Sequence, residues 1–195
     1  MTIARNYLEQ TIMKICGLQK TTLIDYPGHV AATVFLAGCN FRCPWCYSKE
    51  LVLPELIARQ PQISETEVLE FLKEKQGLLE GVVICGGEPT LHPDLPQFCR
   101  KIKDLGFLIK LDSNGSNPQM IKELIDKKLI DYVAMDIKLP KERYATLFAG
   151  ADRGWTPADL TGVGPLSIRV DDVEKSIKIL KNGEIDFEFR TTVAP

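Results

Sequence analysis

No run of apolar residues in this chain approaches the roughly 20 that a membrane-spanning helix requires; the longest, residues 30–37, is far shorter, so no span and no membrane partner are expected. Neither charge is in excess: 24 Lys and Arg stand against 26 Asp and Glu, with no block of one sign. The basic surface that phosphate-backbone binding needs is missing, and nucleic acid is not an expected partner. The N-terminus carries Arg5, Glu9 and Lys14 and lacks a continuous apolar segment ending in a small-residue cleavage site. That excludes a signal-peptide reading and points to the cytoplasm. Repeats at a fixed period and low-complexity tracts are also absent. An apolar fraction of 45% and a charged fraction of 26% exclude disordered, collagen-like and coiled-coil classes. A length of 195 residues suits a single domain, here residues 1–195 with an N-terminal extension over about residues 1–28.

Cysteine, in contrast, is plentiful: there are six, and Cys39, Cys43 and Cys46 fall within eight residues. In a reducing compartment such clustering favours metal or redox chemistry over disulfides. The segment Cys39-Asn40-Phe41-Arg42-Cys43-Pro44-Trp45-Cys46 has the spacing CxxxCxxC. Three thiolates on a tight loop can hold three corners of a cubane iron–sulfur cluster and leave the fourth iron open. Zinc and inert packing are the alternatives. Structural zinc sites are closed and tetrahedral, usually built from paired ligands, and neither His29 nor His92 has that spacing to the loop. Cys16, Cys85 and Cys99 have no CxxC-type spacing and read as small buried hydrophobes. His29 and His92 read as structural or surface residues, although His92 follows a glycine motif closely enough to lie near a substrate.

Periodicity alternates between strand and helix. Residues 30–36 form a near-continuous apolar run, as in a strand covered on both faces. Ser64 with Glu67 is a capping-box signature for a helix ending near Gly77. Residues 81–84 read as a strand, residues after Pro93 as a helix, 107–111 as a strand, residues from Pro118 as a helix and 132–137 as a strand. Residues 141–165 read as mostly loop with one short helix near 143–148. Asp171 or Asp172 is placed to cap a further helix, and 187–193 reads as the last strand. Alternating βα units predict an α/β fold, a partial (β/α) barrel with parallel strands and outer helices.

In such sheets ligands sit at the carboxyl ends of strands. Each unusual motif lies in such a loop: the cysteine segment, then Gly86-Gly87-Glu88-Pro89, then Asp112-Ser113-Asn114-Gly115, then Asp136 and Lys138. Two glycines let a backbone approach a ligand closely, and Glu88 offers a carboxylate to an amine; an ordinary tight turn is the alternative. Asp112 to Gly115 would also pass as a turn, and Asp136 with Lys138 as a structural ion pair.

Together the CxxxCxxC loop, Gly86-Gly87-Glu88-Pro89 and the βα order resemble the radical S-adenosylmethionine (SAM) superfamily, over nearly the whole chain from Gly17 onward. Within it, Gly17-Leu18-Gln19-Lys20-Thr21-Thr22-Leu23-Ile24-Asp25-Tyr26-Pro27-Gly28, Met135-Asp136-Ile137-Lys138 and Arg190-Thr191-Thr192-Val193 look like the anaerobic ribonucleoside-triphosphate reductase activating proteins, as does Asp112-Ser113-Asn114-Gly115. The resemblance implies that Cys39, Cys43 and Cys46 ligate a [4Fe-4S] cluster whose open iron binds SAM. It also implies that Trp45 lies against adenine and that Gly86, Gly87, Glu88 and Pro89 receive the methionine amine. Asp112, Ser113, Asn114, Asp136, Lys138 and Arg190 would surround the cofactor, with Asp112, Ser113 and Asp136 helping to hold a monovalent cation. The implied activity is reductive cleavage of SAM to a 5′-deoxyadenosyl radical that generates a glycyl radical on a partner enzyme. That partner would be anaerobic ribonucleotide reductase, with flavodoxin or ferredoxin as electron donor. A radical SAM enzyme acting on a small molecule or another peptide, and a noncatalytic metal-binding interaction module, are the other readings. Tyr47-Ser48-Lys49-Glu50-Leu51 replaces the His-Asn pair common in relatives, and Ser113 stands where Thr is frequent. The chain ends at Pro195, where family members usually continue, so the resemblance implies a shortened C-terminus.

Overall fold

The computed structural model describes residues 13–147 and 170–192. Six strands form one sheet in chain order: β1 (Ile15–Thr22), β2 (Ala31–Leu36), β3 (Gly81–Gly86), β4 (Leu108–Ser113), β5 (Tyr132–Asp136) and β6 (Asp186–Arg190). Strands β2 to β6 are parallel neighbours, whereas β1 pairs antiparallel with β2. Among the described residues β1 and β6 are edges, so the sheet does not close. Helices α1 (Pro54–Ile57), α2 (Glu65–Glu74), α3 (Leu95–Asp104), α4 (Pro118–Asp126) and α5 (Val170–Asn182) lie between the strands. Short 3₁₀ turns cover Lys49–Leu51, Pro89–Leu91 and Lys141–Leu147. No helix among the described residues is long and apolar enough to cross a membrane.

The expected elements are present with shifted ends, β4 running on through Asp112 and Ser113, which read as a turn, and β6 stopping at Arg190, and with three further differences. Residues 15–22 lie within the stretch read as an extension, yet they form an antiparallel edge strand. Asp171 and Asp172 sit inside the first turn of α5 rather than at its cap. The short helix near 143–148 is a 3₁₀ turn over Lys141–Leu147, and residues 148–165 and Val193 lie outside the described residues.

Period-two alternation divides each strand between two environments. Val34, Leu36, Val82, Ile84, Ile109, Leu111, Val133 and Met135 join Leu72, Phe98, Ile102, Ile121 and Leu124 of the helices in one core. On the opposite face, the strand starts contribute Ala31, Val83, Leu108 and Tyr132 to a small apolar floor sealed by Tyr26 from the β1–β2 loop. A Cβ at Gly81 would stand 2.8 Å from the Tyr26 ring, so glycine there is what lets the ring lie flat against β3. Above this floor the same face turns polar, ending at the carboxyl ends of the strands.

Helix α2 begins as its sequence dictates: Ser64 Oγ accepts the Glu67 N–H at 3.2 Å, and Glu67 Oε2 accepts the Ser64 N–H at 2.8 Å. Loss of a Ser cap typically costs about 1 kcal/mol. Ser64→Ala is therefore expected to lower the urea midpoint by about that equivalent while leaving the remote strand-end loops unaffected, as checked by equilibrium denaturation.

Candidate functional site

The four loops identified from sequence meet in one pocket of about 480 Å³ at the carboxyl end of the sheet, within the roughly 300 to 1,000 Å³ of small-molecule sites. Its wall includes Cys39, Cys43, Trp45 and Cys46, the backbone of Gly86 and Gly87, and Asp112, Ser113, Asn114, Asp136, Lys138 and Arg190. Glu88 and Pro89 are buried behind it.

The two glycines serve the neighbouring loop. Gly86 has φ +119°, and a Cβ there would fall 2.2 Å from Leu36 O; one at Gly87 would fall 2.0 Å from Gly38 O. Gly87 N–H donates to Leu36 O at 2.8 Å and Glu88 N–H to Gly38 O at 2.7 Å. The close approach is thus between the β3 end and the entry to the cysteine loop, which the glycine motif stitches into place while its backbone also forms pocket wall.

Glu88 turns into the protein. At 0% exposure, its carboxylate accepts the Thr90 N–H at 3.1 Å, the Ser113 hydroxyl at 2.8 Å and the Asn114 N–H at 2.6 Å, with the Thr90 hydroxyl at 2.5 Å. It is not part of the pocket wall. Burial pushes the Glu88 carboxyl up, against the hydrogen bonds that pull it down. The network continues outward: Asn114 Nδ2 donates to Asn40 Oδ1 at 2.9 Å, and Asn40 Nδ2 donates to Ser116 Oγ at 2.8 Å. Three loops are tied together by buried polar groups, each with a partner, as burial requires.

The charged residues form a ladder across the sheet end. Lys110 Nζ pairs with Asp112 Oδ1, Arg190 Nη2 with Asp112 Oδ2 at 2.7 Å, and Lys138 Nζ with Asp136 Oδ2 at 2.8 Å. Arg190 Nε faces Asp136 Oδ1 at 3.6 Å and Glu188 Oε1 at 3.8 Å. Asp136 and Lys138 are both an ion pair and pocket wall. Register explains the assembly: Asp136 pairs with Arg190 across β5 and β6, and Lys110 and Asp112, two apart on β4, share one face.

The thiols suit a metal cluster. Cys39, Cys43 and Cys46 all line the one pocket, and three sulfur donors are the kind an iron–sulfur cluster takes; desolvation by burial pushes the Cys39 thiol up to about 12 and that of Cys43 up to about 11. Cys39 Sγ accepts the Phe41 N–H at 3.4 Å, with Asn114 Nδ2 at 3.8 Å. Among the described residues no three His, Cys, Asp or Glu side chains converge on one point. The loop is buttressed from outside. His92 Nε2 meets Ala37 O at 2.9 Å, Arg42 Nη1 donates to Cys39 O at 2.5 Å and Phe41 O at 2.9 Å, and Arg42 N–H donates to Leu147 O at 2.9 Å. Burial lowers the His92 pKa, so a neutral ring donates to that carbonyl, and His92 is a support rather than a substrate contact.

The sequence matches the Radical SAM superfamily over residues 33–193. The chain belongs to the radical SAM superfamily. Membership in this enzyme superfamily implies a [4Fe-4S] cluster and SAM, and the three pocket thiols provide a donor set of the right kind. A Methanocaldococcus jannaschii protein provisionally named a glycyl-radical enzyme activating enzyme is 33% identical over 93% of this chain and 68% of its own length. A second protein of that organism, similarly named, is 26% identical over 94% of this chain and 75% of its own length. In fold, the radical SAM chain is similar to anSMEcpe with bound AdoMet, with a TM-score of 0.53 and 22% identity over 78% of this chain and 40% of that one.

Several site residues of this radical SAM chain escaped the sequence reading. Lys110 lines no motif, yet a lone lysine two positions before Asp112 in an apolar strand is a signal that both share a face. Cys85, read as packing, lines the pocket, where burial raises its thiol. Asn40, Thr90 and Ser116 gave no signal, because their partners are 27 or more residues away or are set by loop geometry.

Proposed function

We propose that this radical SAM enzyme is an activase that generates a glycyl radical on a partner enzyme, with anaerobic ribonucleotide reductase the first candidate. The observation that carries the reading is the placement of Cys39, Cys43 and Cys46 on one pocket with the ladder Asp112, Arg190, Asp136 and Lys138. Its relative at 33% identity, named for that activity, supports it. Cys39, Cys43 and Cys46 would hold the cluster, Trp45 would lie along the adenine, and the Gly86 and Gly87 backbone would border the methionine end. When bound, cluster and SAM together supply a one-electron reductive cleavage of the sulfonium, giving methionine and 5′-deoxyadenosine with one hydrogen atom removed from the substrate. The chain's own share is orientation and exclusion of water. The buried network of Glu88, Asn114 and Asn40 fixes the cysteine loop, and the sheet, whose edges β1 and β6 are unpaired among the described residues, leaves room there for a polypeptide loop.

The test is anaerobic. The reconstituted chain is incubated with SAM, flavodoxin or ferredoxin as reductant, and candidate glycyl-radical enzymes, and paramagnetic resonance spectra are recorded. A change in the reduced-cluster spectrum on adding SAM, followed by a glycyl-radical doublet on the partner, is expected. SAM cleavage without any partner doublet overturns the activase reading in favour of a small-molecule or peptide substrate. A fully loaded cluster indifferent to SAM overturns the assignment of the pocket.

A further inference from the structure

Four carboxylate oxygens at the open end of the sheet each face a cation belonging to the chain. Asp112 Oδ1 meets Lys110 Nζ, Asp112 Oδ2 meets Arg190 Nη2 at 2.7 Å, Asp136 Oδ2 meets Lys138 Nζ at 2.8 Å, and Asp136 Oδ1 faces Arg190 Nε at 3.6 Å. Hard metal cations are held chiefly by negatively charged oxygen ligands, and here the charge of each carboxylate is already met by a cation of the chain. Ser113, the third member of the expected cation set, is already engaged: its hydroxyl donates to Glu88 at 2.8 Å and accepts the Gly115 N–H at 3.0 Å, which leaves a single lone pair on a neutral oxygen. The residues present do not fit a monovalent metal ion.

Charge balance leads to the same end. Lys110, Lys138 and Arg190 oppose Asp112, Asp136 and Glu188, so the ladder is neutral as it stands. A sodium or potassium ion would add a positive charge beside Lys110, whose side chain is 1% exposed, where solvent screens repulsion poorly. We propose that Lys110, Arg190 and Lys138 occupy the role of a metal counter-ion for Asp112 and Asp136, so that this pocket takes SAM without sodium or potassium. Lys110 is the positioning residue: it holds Asp112 from beneath and leaves the second oxygen to Arg190. The inference rests on the reading of the pocket as the SAM site.

The test uses the full chain, reconstituted anaerobically, with SAM present. Thallium(I) serves as the potassium probe by thallium NMR, and SAM cleavage is timed in potassium, sodium and choline chloride at one ionic strength. The wild type is expected to show no potassium-displaceable thallium signal and rates independent of the cation. Lys110→Met, which keeps the chain length but removes one positive charge, is expected to gain such a signal. Displaceable thallium binding in the wild type that disappears in Asp112→Asn, or a rate about tenfold higher in potassium than in choline, overturns the proposal. So does a folded Lys110→Met that binds no thallium; if that variant does not fold, the wild-type measurements decide alone. Failure of the SAM-site reading shows separately, as no cleavage in any salt, while the thallium result still answers the cation question.

Discussion

Replacing Gly87 by alanine is expected to cost the protein both stability and iron. The added Cβ would sit 2.0 Å from Gly38 O and 2.6 Å from the Gly38 carbonyl carbon, which are backbone atoms that cannot swing away. Relief requires separating the β3 end from the cysteine loop, which breaks the bonds from Gly87 N–H to Leu36 O and from Glu88 N–H to Gly38 O. Overpacking of this kind costs about 1–3 kcal/mol, and each buried bond broken adds about 1 kcal/mol more. A total on the order of 3–5 kcal/mol follows, with the cysteine loop displaced. Gly86→Ala adds a left-handed φ of +119° to a clash at 2.2 Å, a backbone strain of roughly 1–3 kcal/mol. Gly77→Ala is the control: φ is +77° but nothing lies within 4 Å of its Cβ, so only the left-handed penalty of about 1–2 kcal/mol applies. Urea midpoints and iron per chain after reconstitution read the difference. The idea fails if Gly87→Ala keeps the iron content and midpoint of the wild type.

What the sequence made legible was whatever repeats with a period or a spacing. The parallel strands β2 to β5 announce themselves through apolar runs, and α2 through its capping box, because those signals are local. Strand β1 does not: its pairing shifts register between Ile15 and Gly17 and again between Gln19 and Thr22, and each shift breaks the two-residue alternation by which strands are read. Tyr26 has the same difficulty. Its burial against Gly81 and Tyr132 is a contact between distant loops and strands, and no local pattern marks a loop tyrosine as a floor.

The candidate site divides along the same line. Convergence of four loops follows from parallel topology, so residues after each strand could be placed together without knowing their side-chain directions. Direction was the hidden quantity. Glu88 and Asp112 both follow or end apolar strands, yet Asp112 joins the charge ladder at the pocket while Glu88 turns into the protein to receive Thr90, Ser113 and Asn114. The parity of a residue within its strand sets which face it takes, but the strand ends at Gly86, and beyond it the positive φ of that glycine redirects the chain.

Glu88 gives the second large prediction, and its pH dependence carries a definite sign. Glu88→Ala would leave the Thr90 and Asn114 N–H groups and the Ser113 hydroxyl without their acceptor in a site of 0% exposure. At roughly 1–3 kcal/mol per stranded group, a loss on the order of 4 kcal/mol or more is expected, together with loss of iron. Glu88→Gln keeps the volume but sets an amide N–H₂ against either the Thr90 or the Asn114 N–H, at a cost of about 1–3 kcal/mol. Burial raises the wild-type carboxyl above its ordinary value. A group raised in the folded state contributes its stability in full below the unfolded value, about 4.3 for Glu, and loses it as pH climbs through the folded value. The Gln variant does not titrate there, so the stability gap between it and the wild type should be widest in acid and narrow as pH rises. A gap that widens with pH instead would mean that the carboxylate is ionised in the fold and held by its donors. If Glu88 met the SAM amine directly, Glu88→Gln would weaken SAM binding while leaving the urea midpoint and iron content intact; isothermal titration beside denaturation separates the two roles.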